Sequence, residues 1–362
     1  MAMDGEMRGA DAAVAISGRR LALPEGPIFN LRRAAQSEFE IGEFRAWAGY
    51  KNFGSDAATN DLAHFQHVLT FAGSEATGRT GIHAHLAHAH IIIPTSGRGV
   101  FSYDGVITPA VSGAVIVQHG GTVHDQFEYS YAAASQADNC TTPLSIEPAP
   151  PGAPLRSFAF LELFVPKVFA NVEIVPAEAV TEADQSTAWH HPYHAQSERF
   201  HIQPADAPAA AYRPVAGRDD IEARDAGTWD ATGGLVATWF IRPATPDSRN
   251  APDLSLEIPG EAGGVDILFM VAGSARFLKA DGDQIVIEAG DALTHSQGLV
   301  GDPFACSPDM RLIRFFIAAR TQHLRERTPE EIDRLEALGP RIITRREIRP
   351  ADDSRPVNLF HT

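Results

Sequence analysis

Residues 83–97, HAHLAHAHIIIPTSG, and residues 113–124, GAVIVQHGGTVH, decide how this chain is read. Six of its fifteen histidines, His83, His85, His88, His90, His119 and His124, fall inside that one window. Side chains alternate along a strand, so His83 and His85 project to one face and can converge on a single ion. His90 has the opposite parity, and the chain must turn within Leu86–Ala89 before it can join them. His88 shares parity with His90, so either could be the ligand and the other its support. His119 stands just before Gly120-Gly121 and faces either the cavity or its rim. Imidazole donors suit Fe, Zn, Cu and Ni, whereas an all-oxygen set would point to Mg or Ca.

Outward from this window the texture is that of an all-β protein. Twenty-five prolines and thirty glycines cut the chain into short pieces. Most apolar runs are brief and rich in Val, Ile and Phe, as in HFQHVLTFA from 64, RSFAFLELFVP from 156, LVATWFIRP from 235, VDILFMVAG from 265 and MRLIRFFIAA from 310. Turn signals near every tenth residue suit a sandwich or barrel better than βαβ units. The pattern occupies two stretches, 45–165 and 235–320. Before them lies an N-terminal arm, 1–44, and between them a polar interdomain arm, 166–234, carrying the cluster Trp189, His190, His191, Pro192, Tyr193 and His194. Residues 129–155 read as a surface insertion. One helix is expected in the tail 321–362: TPEEIDRLEALGP at 328–340, with Thr328 as cap, Pro329 first, Glu331 three residues after the cap and Gly339-Pro340 as the stop. Gly97 and Gly113 in the first stretch are echoed by Gly273 and Gly290 in the second, with Asp-Gly turns (Asp104-Gly105, Asp281-Gly282) between them, so the chain reads as an internal duplication.

The histidine spacings resemble the cupin superfamily, whose first motif is H-x-H-x(3,4)-E-x6-G and second G-x5-P-x-G-x2-H. His83, His85, four residues, His90, six residues and Gly97 fit the first, with His90 in place of Glu; Gly113, five residues, His119, Gly121 and His124 fit the second, with His119 in place of Pro. The match spans about 45 residues. The resemblance implies two jelly-roll (double-stranded β-helix) barrels, with one divalent metal ion held in the first by His83, His85, His90 and His124. In the second stretch Gly264-Val265-Asp266-Ile267 stands where H-x-H belongs and Gly301 where the last His belongs, leaving His295 alone. The second barrel is therefore expected to be a degenerate one without a metal, and the whole is similar to bicupins such as gentisate and quercetin-cleaving dioxygenases. That likeness implies Fe(II), with Zn, Ni or Mn as alternatives, and oxidative cleavage of a small phenolic or enolisable carbonyl substrate. Other readings are a non-redox isomerase, cyclase or hydrolase, and a non-catalytic binding module. Arg79, Arg98 and Tyr103 lie near the motif strands and could anchor a carboxylate or phenolate, although their default placement is the surface.

Composition removes other classes. Thirty basic against forty-six acidic residues leave a formal charge of −16, which cannot supply the basic footprint for nucleic acid or an anionic membrane. Cys140 and Cys306 form no CxxC, and the acidic N-terminus lacks a basic leader region, so a cytoplasmic setting is expected. No nucleophile elbow, P-loop or dinucleotide-binding glycine motif is present. The partners expected are a small substrate, with aromatic compounds among the candidates, and further copies of the chain in a homodimer or homotetramer.

Overall fold

The computed structural model describes residues 23–41, 48–72, 83–85, 87–103, 106–120, 122–129, 132–133, 158–166, 175–176, 200–207, 211–246, 251–258, 263–296, 299 and 301–319. The strands of the first part are β1 (Phe29–Arg32), β2 (Glu40–Ile41), β3 (Ala48–Asn52), β4 (His64–Ala72), β5 (His83–Ala84), β6 (Ala89–Ser96), β7 (Arg98–Tyr103), β8 (Val106–Val111), β9 (Val115–His119), β10 (Val123–Tyr129), β11 (Ala132–Ala133), β12 (Ala159–Val165), β13 (Val175–Pro176) and β14 (Phe200–Gln203). Helix α1 (Ser55–Ala58) joins β3 to β4. Then follow β15 (Arg213–Pro214), β16 (Ile221–Asp225), helix α2 (Thr228–Ala231), β17 (Val236–Pro243), β18 (Gly264–Ala272), β19 (Ser274–Leu278), β20 (Gln284–Glu288), β21 (Ala292–His295) and β22 (Arg311–Ala318).

These strands make the expected all-β, two-part architecture. In the first half a large sheet runs β14-β9-β6-β12-β4-β3-β2 and faces a smaller sheet, β13-β5-β10-β7-β8. The second half has a large sheet, β1-β21-β18-β22-β17-β16-β15, and the ribbon β19-β20. The two large sheets pack against each other through a shared core in which Phe65, Ile91, Ile93 and Leu163 meet Ile267, Phe269, Ile313 and Phe315. Phe65 lies 5.9 Å from Phe269 and 5.4 Å from Phe315, centre to centre. Strands β6 and β12 are buried along their whole length because one face meets the other half and one face lines a barrel; this explains their continuous apolar runs. In β20 the solvent-facing side chains restore alternation.

The duplication extends to local detail. A left-handed glycine, Gly54 at φ 67° or Gly227 at φ 66°, introduces the four-residue helix in each half, a conformation that an L side chain adopts only with strain. These two short helices are too brief to leave a periodic signal, and the sequence reading missed them.

The arms differ from expectation. Strand β1, from the N-terminal arm, pairs with β21 of the second half, with Phe29 opposite His295. Strand β14, from the interdomain arm, pairs with β9 of the first half, with Phe200 opposite Gln118. Each half thus lends its leading strand to the other. Strands β15 and β16, also inside 166–234, belong to the second large sheet, which therefore starts ahead of residue 235. Buried Arg224 on β16 clasps the halves by donating from Nη2 to the Gly113 carbonyl at 2.6 Å while stacking 3.9 Å above Phe240. The helix expected at 328–340, most of 129–155 and the Trp189–His194 cluster lie outside the described residues. Among the described residues no helix is long and apolar enough to cross a membrane.

Candidate metal centre

Three of the four histidines singled out by their spacing meet inside the first barrel. His85 follows β5, His90 is the second residue of β6, and His124 the second of β10. Each offers a ring nitrogen within 4.8 Å of the others, and all three are buried. The ring of His85 lies 4.8 Å from His90 and 4.9 Å from His124. The bend at Ala87–His88 reverses the parity between His85 and His90, as their convergence requires. His83 pairs across the ladder with His124, and its side chain lies outside the described residues.

The chemistry of the donors fits a metal ion. The Nδ1 atom of His124 sits 3.0 Å from the Thr122 carbonyl, which can only accept, so Nδ1 carries the proton and Nε2 presents its lone pair. Such a carbonyl partner fixes the tautomer of a metal-binding imidazole. Both ring nitrogens of His90 are buried and neither makes a hydrogen bond, Glu162 Oε1 standing 3.4 Å from Nε2; an ion held by one of them would satisfy that nitrogen. His90 stacks on Phe164 with centroids 4.0 Å apart and an interplanar angle of 14°. Phe164 also meets the edge of His85 at 5.3 Å, so one aromatic ring orients two of the three imidazoles.

A carboxylate completes the wall. Glu162 on β12 is buried, with Oε1 3.4 Å from His90 Nε2. Its other oxygen accepts from the Gln66 amide at 2.6 Å, Gln66 Oε1 lies 3.1 Å from His64 Nε2, and His64 Nδ1 faces Asp56 at 3.4 Å. A polar chain thus runs from the histidines across β4 to α1. Tyr103, opposite His124 in the ladder, is fully buried, which corrects its surface placement. Burial first, and then the charge of Glu162, hold its phenol well above the ordinary value; it is a neutral O–H donor at physiological pH.

The corresponding positions of the second half carry different chemistry. Glu162 and Gln66 are partners across β12 and β4; Arg314 and Trp239 are partners across β22 and β17. His90 faces Gln118 across β6 and β9, while Asp266 faces His295 across β18 and β21. The His90–Glu162 position is thereby taken by an Asp266–Arg314 ion pair of 2.6 Å. His295 is held neutral by burial, which lowers its pKa. Among the described residues His85, His90 and His124 form the only converging group of three potential ligands.

Of the remaining candidates, His88 is half-buried on the bend and His119 is buried at the end of β9, where its carbonyl accepts from Thr122. Arg79 and the side chain of Arg98 lie outside the described residues. The sequence reading passed over Glu162 inside the apolar run RSFAFLELFVP. Its parity with Phe160 and Phe164 was the available signal that it faces inward.

No family model and no curated protein matches the chain. Among solved structures it is similar to Bacillus subtilis oxalate decarboxylase at pH 4.6, with 11% identity over 80% of this chain and 76% of that one and a TM-score of 0.40. It is also similar to the Momordica charantia 7S globulin, with 11% identity over 80% and 84% and a TM-score of 0.43. At this distance the functional reading rests on the site itself.

Proposed function

We propose that the chain is a bicupin enzyme that binds one divalent transition-metal ion through His85, His90 and His124, and that it is an Fe(II) dioxygenase acting on a small phenolic or enolisable carbonyl compound. The observation that carries the reading is the convergence of three buried imidazoles in the barrel interior, with the His124 tautomer set by Thr122. Three neutral donors leave the ion's positive charge intact, and bound iron would supply the electronic chemistry between dioxygen and an enolate or catecholate. The chain does the rest. Glu162, fixed by Gln66, is the carboxylate placed to accept the proton of an enolic or phenolic hydroxyl at its Oε1. Tyr103 keeps its proton and can donate to an oxygen of the substrate. Phe101, Phe158 and Phe160 furnish the apolar interior that excludes water.

Glu162 also favours a second reading, in which Zn, Ni or Mn occupies the site and the carboxylate serves in a non-redox isomerisation or hydrolysis. Elemental analysis of anaerobically purified protein, followed by oxygen uptake with diphenols and diketones, separates the two. About one iron per chain and substrate-dependent oxygen uptake is the expected result; zinc, nickel or manganese with turnover but no oxygen uptake supports the second reading. His124→Ala should lose both metal and activity, whereas His295→Ala should keep its metal. Full occupancy in His124→Ala, or its loss in His295→Ala, would place the site elsewhere.

A further inference from the structure

A cavity of about 170 Å³ in the second half is lined by Trp229 of α2 and Trp239 of β17 and shares no lining residue with His85, His90 and His124. Ala237 lines it as well, and the carboxylates of Asp225, Asp230 and Glu257 complete the lining. The internal repeat explains the space. Trp239 stands where the first half has Gln66, so Ala237, two residues earlier, stands where the first half has His64. Trp229, second residue of α2, corresponds to Asp56, second residue of α1. In the first half His64 and Asp56 reach each other at 3.4 Å; in the second, a methyl group replaces the imidazole. The Trp229 indole packs over Gly234, where an added Cβ would come within 3.3 Å of it, so this wall is held in place.

Among the described residues the lining has two indoles, three carboxylates and no basic side chain. Arg314 lies 5.3 Å from the centre of the Trp239 ring without lining the cavity. Asp225 is pushed up chiefly by burial, with the opposing charge of Arg213 a smaller influence, so its carboxylate gains from an added positive neighbour. Indole rings attract cations through their quadrupole, and carboxylates add charge complementarity. A metal ion would have little use for indole walls; an organic cation uses both.

We propose that this cavity binds a small organic ammonium ion, its charged head lodged beside Trp229 and Trp239 and balanced by Asp225, Asp230 and Glu257. The proposal is independent of the metal reading, because no residue is shared with the histidine site. The test is calorimetric titration of the full chain with choline chloride, and separately with 3,3-dimethylbutan-1-ol, its uncharged analogue of matching shape. Saturable binding of choline at one site is expected, with the alcohol about tenfold or more weaker. Asp225→Asn should weaken choline by about tenfold. Ala237→His, which refills the space as His64 does in the first half, should abolish binding while the melting profile and metal content stay those of the parent. Equal binding of choline and the alcohol, absence of choline binding, or undiminished binding by a folded Ala237→His protein would overturn the proposal.

Discussion

Replacing Phe269 with alanine tests whether the two halves stand or fall together. Phe269 belongs to β18 of the second half, is fully buried, and its ring lies 5.4 Å from Phe53 and 5.9 Å from Phe65 of the first half. Burying a phenylalanine side chain stabilises by about 2.5 kcal/mol, and two aromatic contacts add about 0.5–1.5 kcal/mol each. The sum, about 4 kcal/mol, falls in the usual range of about 3–5 kcal/mol for a buried phenylalanine cut to alanine. In hydrogen exchange read by mass spectrometry, that loss appears as roughly a thousandfold faster exchange of amides that open only with global unfolding. The informative peptides are those of β12 in the first half and β22 in the second, neither of which contains the substitution. Both should lose protection to the same degree, because the core around Phe269 is shared. Retention of normal protection in β12 while β22 loses it would refute the single-core reasoning.

Other outcomes are expected on the same grounds. Burial lowers the His67 pKa from 6.5 to about 3, with Lys51 adding to it; since the unfolded chain takes up a proton that the folded one refuses, stability is full above pH 6.5 and falls as the pH drops towards 3. His67→Phe, copying Phe240 at the corresponding position, should remove about 1.4 kcal/mol per pH unit of that loss in urea unfolding between pH 6 and 4; parallel curves for the two proteins would contradict this. Asp266→Ala removes the 2.6 Å partner of Arg314 and leaves it the longer contacts to the Leu256 carbonyl and Asp302; it should cost about 2–3 kcal/mol, read as a lower urea midpoint with an unchanged slope. Glu162→Gln should weaken metal affinity by about 10–100-fold in a competition titration with a chromophoric chelator, because the carboxylate next to His90 is neutralised.

The histidine site was largely legible because its signal is local. His85, His90 and Gly97 lie on one stretch of chain, where strand alternation and a short turn bring the two imidazoles together; His124, 34 residues past His90, was legible through its spacing from Gly113 and Gly121, and its strand pairs with β5. The inward face of β12 was legible in principle, since Glu162 shares parity with two phenylalanines, but a charge inside an apolar run reads first as a break. Tyr103 shares parity with Phe101 in the same way. The fate of the arms was beyond reach for a different reason. FNLR of β1 and FHIQ of β14 are ordinary short strands, and nothing in four residues names a partner across the molecule. The Asp266–Arg314 pair likewise becomes meaningful only when registers in both halves are laid side by side.

The traded leading strands bear on how the chain can be made. The Ile28 backbone N–H donates to Ser296 Oγ, 268 residues further along, at one end of the β1–β21 pairing. A chain emerging from the ribosome therefore carries β1 unpaired until nearly all the described strands exist, with the open edge that unpaired strands present. The first half, though synthesised first, waits for β14 from the connecting arm to cover β9. Assembly cannot run to completion one half after the other, because the β1–β21 ladder joins the earliest described strand to one of the latest. The same logic gives separated halves a mutual need: each would expose the edge that the other's leading strand covers, and mixing them should restore both.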